Sequence, residues 1–303
     1  VDSTMAVDLE WSSGRRGHGG DAAETPLERT LLLHFNALLP VVVVSVCLGA
    51  FDDIVAAVLA FQGICLVLLP LIYIYTMQDG PLIYFLHLKQ LLCNWRKQVK
   101  FAVAGFLLCM GVGFGAFLVV QSLINEEKVV EETKEDGLNG RAFPSAGSVL
   151  AIALEFTFVN SLLEELFWRV FLYRELGRSL ANEAVAGTLG ENSILTSAAS
   201  WDGDAGSDEG DSPRGLNVFS GDERPKLLVS CYYSSYHFVV MCFFVPWYLA
   251  LAGFLGLVFL GRVLVFCREN EIFGIVTGYG IHAGLDGAFC LIMLQMYKHF
   301  VRR

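Results

Sequence analysis

The sequence predicts an all-α polytopic membrane protein with about seven transmembrane helices, an interfacial amphipathic segment and a helical core. Of its 303 residues, 54% are hydrophobic and 17% charged, and mean hydropathy is +0.54, too apolar for a soluble domain of this length. Apolar runs long enough to cross a bilayer recur along the chain. The acidic residues behind the formal net charge of −10 gather in two hydrophilic loops, Glu126 to Asp136 and Asp202 to Glu223.

Residues 1–29 are polar and glycine-rich, and are expected to form a disordered tail. Because the chain begins at Val1, a preceding targeting segment is left open. Residues 30–144 hold the first spans. Leu31 to Phe51 and Ile54 to Met77, parted by Asp52 and Asp53, form a membrane hairpin; His34 in the first is expected to have a local partner. Gly80 to Lys100 interleaves apolar residues with His87, Lys89, Arg96, Lys97 and Lys100, the pattern of an amphipathic segment lying along the cytoplasmic interface. The third span, Phe101 to Ile124, contains Gly111, Gly113 and Gly115, which suit close helix packing.

A second region, 145–298, begins after an acidic loop. Its first span, Ser148 to Tyr173, is followed by a hydrophilic insertion, 181–224, too poor in apolar residues to fold. Spaced aspartates there lack the full ligand pattern of a calcium loop. Three spans complete the count: Lys226 to Val245, Trp247 to Cys267, and Ile272 to Tyr297, with Pro246 dividing the first two. A cytoplasmic N-terminus puts most loop Lys and Arg inside, in keeping with the positive-inside rule; Lys298, Arg302 and Arg303 fall on the other side. Eight scattered cysteines without a C-x-x-C pair suggest neither a disulfide framework nor a thiolate zinc site.

Within the span 148–173 lies Asn160-Ser161-Leu162-Leu163-Glu164-Glu165-Leu166-Phe167-Trp168-Arg169. Charge inside a bilayer costs several kcal/mol and is usually paired, functional or both. Glu165 and Arg169 have the i,i+4 order that favours an ion pair, whereas Glu164 is rotated by about 100° and faces another neighbour. Tyr233 and His237 share a face of the next span, as do His282 and Asp286 of the last. Counting helical rise from Arg174, Lys226 and Glu271 puts Glu164, His237 and His282 each roughly 15 to 16 Å into the membrane. One shared cavity is therefore expected.

A glutamate with two histidines in a dehydrated cavity is suited to activating water, so hydrolysis is the expected chemistry. No G-x-S-x-G or H-E-x-x-H motif is present. A zinc ion held by His237, His282 and a carboxylate stays open as an alternative, as does a proton-coupled transporter.

The order E-E-x-x-x-R, aromatic-x-x-x-His, His-x-x-x-Asp on successive membrane helices resembles the CAAX protease and bacteriocin-processing family. These are glutamate intramembrane endopeptidases that include the Ras-converting CAAX prenyl proteases. The resemblance covers about residues 145–298. It implies that Glu164 is general base with His237, that His282 and Asp286 hold the oxyanion, and that Glu165 and Arg169 are the supporting pair. It further implies a prenylated peptide or protein substrate, no cofactor or metal, and an endoplasmic reticulum membrane address. Membrane lipid is an expected partner, nucleic acid is not, and oligomeric state is left open. Tyr233 stands where phenylalanine is usual, and Asp286 where prenyl proteases commonly have asparagine. An ionised aspartate cannot donate to an oxyanion, so Asp286 must be protonated, orient His282, or mark different chemistry. A non-catalytic scaffold or chaperone built on the same core is the alternative from another class.

Overall fold

Without water to satisfy backbone groups, apolar runs fold as helices, and the chain follows that rule. The computed structural model describes residues 26–51, 54–77, 81–123, 146–181, 223–243, 246–270 and 272–301. Among them all regular structure is helical. In chain order the helices are α1 (Pro26–Ala50), α2 (54–77), α3 (Pro81–Leu91), α4 (Trp95–Leu123), α5 (146–181), α6 (Glu223–Cys242), α7 (Trp247–Glu269) and α8 (Gly274–Val301). The Asp52–Asp53 turn, residues 1–25 of the tail, the acidic loop 126–144 and residues 182–222 of the insertion lie outside the described residues.

Five helical stretches are long and apolar enough to cross a membrane: Glu28–Ala50, Ala56–Thr76, Trp95–Leu118, Trp247–Glu269 and Gly274–Ile292. Their outward faces are apolar, with Leu108 66% and Phe259 72% exposed, a surface suited to lipid rather than water. The chain is thus an all-α integral membrane protein. The expected count of seven spans is not reached by these five stretches: α5 carries Glu155, Glu164 and Glu165 in its apolar run, and α6 is rich in polar residues.

Several boundaries differ from the sequence expectation. The tail ends sooner, because α1 begins at Pro26, whose fixed φ suits a first helical position, with Glu28 in the first turn. The segment 80–100 is not one interfacial element. A turn at 92–94 ends α3, and Trp95 to Lys100 form the start of the spanning helix α4. Lys97 and Lys100 are compatible with that position because long basic side chains reach back to the interface. Helix α5 runs to residue 181 rather than stopping at Tyr173.

The glycines of α4 contribute less than expected, and those of α8 more. A Cβ on Gly113 would meet Ala288, but Gly111 and Gly115 face open space. In α8, by contrast, a Cβ on Gly280 would lie 2.3 Å from the Ala102 carbonyl oxygen, and one on Gly284 would lie 2.4 Å from that of Phe106. Glycine alone permits this backbone approach, so α4 and α8 pack side by side. A second core joins α1, α2, α5 and α6 through Leu33, Phe61, Cys65, Phe167, Trp168, Leu172, Val229, Tyr233 and Tyr236.

At the end of the bundle where α1 begins, fully buried Glu175 of α5 gathers the neighbouring helices. Its Oε2 accepts from Arg29 Nη2 at 2.9 Å and its Oε1 from Tyr84 Oη at 2.6 Å, while Arg29 Nε donates to Tyr73 Oη at 2.9 Å. Glu269 accepts from Tyr173 and lies 3.0 Å from Lys226 Nζ, tying α5, α6 and α7 together at the same end. His34 finds its local partner in Tyr232 Oη, at 2.5 Å.

Thermal unfolding in detergent should separate the two glycine sets. Gly284→Ala is expected to cost about 1–3 kcal/mol through overpacking, and Gly111→Ala to be neutral or to gain up to about 1 kcal/mol of helix propensity. His87 of α3, outside the spanning stretches, has its pKa pushed down to about 4 by burial, then by Arg268 and Arg174. Its unfolded pKa is about 6.5, so the unfolded chain takes up the proton first. The stability His87 contributes as a neutral group is complete above that pH and is lost as pH falls toward 4. The melting temperature of His87→Gln should therefore fall less than that of the parent between pH 7 and 4.5.

Candidate functional site

Helix α5 holds the site on a backbone of unusual winding. Its stretches Glu155–Asn160 and Glu165–Leu172 have π-helical hydrogen bonding, and they flank the α-helical turn Ser161–Glu164. The Tyr173 amide accordingly donates to the Trp168 carbonyl, five residues back. Such widened turns often occur at functional sites because they re-aim side chains without ending the helix. Across from them, α2 also has a π-helical stretch, Phe61–Leu68.

The three residues expected at one depth do converge. Glu164 is fully buried, and its Oε2 lies 3.8 Å from His237 Nε2 and 3.7 Å from His282 Nε2. Those separations exceed a direct hydrogen bond and fit groups that share a bridging water. Tyr236 Oη donates to the same oxygen at 2.5 Å, and Asn160 Nδ2 donates to the other oxygen at 2.6 Å. The carboxylate is thus fixed in direction by a side chain one turn earlier and by one from α6. His237 keeps 19% side-chain exposure against 1% for Glu164 and His282, although its Nε2, which faces the cluster, is buried.

Glu165 has more to do than pair with Arg169. Arg169 Nη1 lies 3.3 Å from Glu165 Oε1, without hydrogen-bond alignment, and its guanidinium stacks 4.2 Å from the centre of the Tyr233 ring. The same Glu165 oxygen lies 2.9 Å from His282 Nδ1. A carboxylate can only accept, so it fixes the proton on Nδ1 and turns Nε2 toward Glu164. Tyr233 Oη lies 3.3 Å from that Nε2, and its ring packs edge-on against both histidines.

Orientation of His282 therefore falls to Glu165, whereas the sequence offers it as one of three roles for Asp286. Asp286 Oδ2 accepts from Ser161 Oγ at 2.6 Å and stands 3.8 Å from His282 Nε2, near it but not bonded to it.

Sequence reasoning passes over Asn160, Ser161 and Tyr236, although each stands inside a motif it singles out. The signal for Asn160 is its i,i+4 spacing to Glu164, the spacing that also marks Glu165 and Arg169. Gln62 gives no comparable signal. Its Nε2 donates to Asn160 Oδ1 at 3.2 Å and to Glu155 Oε1 at 2.7 Å, which fixes the Asn160 amide with its NH2 toward Glu164. Among the described residues no group of His, Cys, Asp and Glu is arranged to hold a metal ion.

Fold and site together define an integral membrane protein with a buried carboxylate–histidine cluster. No family model, curated protein or solved structure matches the chain.

Removing one member of a buried ion pair leaves the other uncompensated, at a cost of about 3–5 kcal/mol. Glu165→Ala should lose stability on that scale in thermal unfolding, and Glu165→Leu with Arg169→Met should recover most of it. A double variant no more stable than Glu165→Ala would contradict the pairing.

Proposed function

We propose that the protein is an intramembrane endopeptidase. It hydrolyses a peptide bond near the C-terminus of prenylated CAAX proteins with water activated by Glu164. The observation that carries this is the approach of two imidazole nitrogens, from different helices, to one oxygen of a buried glutamate. The spacing and order of the motifs, which resemble the CAAX protease family, supply the substrate class. In the same proposal α5 and α6 also cross the membrane, bringing the spans to seven, and the endoplasmic reticulum address follows from the resemblance alone.

Water held between Glu164 Oε2 and the two histidines gives a proton to Glu164 as its oxygen bonds to the scissile carbonyl carbon. The carbonyl electron pair moves onto its oxygen, where His282, an imidazolium held at Nδ1 by Glu165, donates from Nε2. When the tetrahedral intermediate collapses, the C–N bond breaks and the proton on Glu164 passes to the leaving nitrogen. His237, the most accessible of the three, positions the water. Asn160 and Tyr236 keep the carboxylate aimed throughout. The low dielectric around the cluster strengthens each of these electrostatic interactions.

A second reading, a non-catalytic scaffold, is favoured by Asp286, which accepts from Ser161 instead of offering a donor. Under it, Glu164→Ala complements a deletion as well as the parent does.

Purified protein given a farnesylated CAAX peptide should release the C-terminal tripeptide. Glu164→Ala, His237→Ala and His282→Ala should each lower the rate by about 10²–10⁴-fold, and a chelator should leave the parent rate unchanged. Cleavage that survives all three substitutions would contradict the mechanism. Loss of activity on chelation would move the assignment to a zinc hydrolase.

A further inference from the structure

A second polar cluster lies where α3, α5 and α7 meet, outside the Glu164 site. Arg268 of α7 stacks on the Tyr173 ring, 4.6 Å from its centre, and Arg174 of α5 stacks on the Tyr84 ring at 4.7 Å. Arg268 Nη2 donates to His87 Nε2 at 3.1 Å, so His87 takes the proton-accepting, neutral form. Arg268 Nε and Arg174 Nη1 are buried and have no hydrogen-bond partner. The nearest carboxylate to Arg174 is Glu175, whose Oε1 stands 4.0 Å from its Nε and already accepts from Tyr84. Among the described residues no carboxylate lies within salt-bridge distance of Arg268. Two guanidinium groups are thus held rigid on aromatic faces, close to one neutral histidine, with N–H groups unused. Buried N–H groups without an acceptor are costly, and planar guanidinium groups suit an oxyanion best.

The position of the cluster limits which oxyanion that is. Arg174 follows Glu164 by ten residues on α5, at most about 15 Å along the helix axis, because the π-helical turns between them advance less per residue than α-helical ones. Three residues of extended peptide span about 10–11 Å. The arginine stem, whose Cβ tilts back toward the helix N-terminus and so toward Glu164, covers much of the remainder. A tripeptide leaving group with its scissile carbonyl at Glu164 would place its terminal carboxylate within reach of these arginines. A lipid phosphate bound there would not depend on that spacing.

The geometry points to Arg174 and Arg268 as the site that holds the free C-terminal carboxylate of the peptide substrate. This rests on the endopeptidase proposal and adds to it a reason for cutting at a fixed distance from the chain end. The terminal carboxylate would measure three residues back to the bond at Glu164.

The test is equilibrium binding by the full-length protein in nanodiscs, which requires no turnover. The probes are a fluorescent farnesylated CAAX peptide with its scissile amide replaced by a methyleneamine, and the same peptide ending in a carboxamide. The parent should bind the acid at least about tenfold tighter than the amide. Arg174→Gln with Arg268→Gln should bind the amide as the parent does, which also reports folding, and should lose the preference for the acid. Arg174→Lys with Arg268→Lys should keep part of it. Equal binding of acid and amide by the parent, or a preference that survives the double substitution, would overturn the assignment. So would phosphatidic acid in the nanodisc weakening both peptides alike through these arginines, since that would mark a lipid phosphate site. A preference for the acid without cleavage of the natural peptide would leave this site standing and remove the endopeptidase proposal. Cleavage without any preference would do the reverse.

Discussion

The rest of the structure depends on keeping Glu164, Glu165 and Arg169 away from lipid. Three ionisable groups in six residues of one helix are tolerable in a bilayer only if protein surrounds them, and all three are fully buried. That requirement places α5 inside the bundle and turns the polar face of α6, with Tyr233, Tyr236 and His237, toward it. It also brings His282 of α8 against Glu165. The apolar helices α1, α4 and α7 then present their exposed side chains outward. Glu164, Glu165 and His282 find partners on neighbouring helices, and Arg169 is held by the charge of Glu165 and the Tyr233 ring, so each helix depends on its neighbours for its solvation.

Two features hold that arrangement in register. Gly280 and Gly284 let the α8 backbone lie directly on α4, which sets the height of His282 relative to α5. At the end of the bundle, Glu175 and Glu269 join α1, α2, α3, α6 and α7 to the last turns of α5. Between these anchors the π-helical stretches redirect the side chains around Glu164 without breaking the helix. The result is a carboxylate with both oxygens bonded and one of them facing two imidazoles.

Much of this was legible in the sequence, for physical reasons. Hydropathy locates helices well because a bilayer permits little else, and a fixed rise per residue suffices to bring Glu164, His237 and His282 to one level. The i,i+4 rule finds Glu165 with Arg169. It does not reveal that Glu165 also holds His282, which lies more than a hundred residues away and meets it only through the packing of α8. Gln62 and Tyr84 are hidden for the same reason, since polar side chains in apolar runs acquire meaning from the helix opposite. The glycines mislead in a related way. Gly111 and Gly115 are spaced like a packing motif, yet α4 meets α8 through Gly105 and Gly113 and through the glycines of α8. The winding of α5 leaves no pattern in the letters, because π-helical turns are stabilised by tertiary contacts.

The central claim is that Glu164 and His282 act as one unit assembled from two helices. A double-mutant cycle on peptide cleavage measures this most directly. If the two share one water, Glu164→Ala with His282→Ala should be no slower than the worse single variant, because either loss already disables the unit. Additive losses, with the double variant slower by the product of the two single factors, would contradict it.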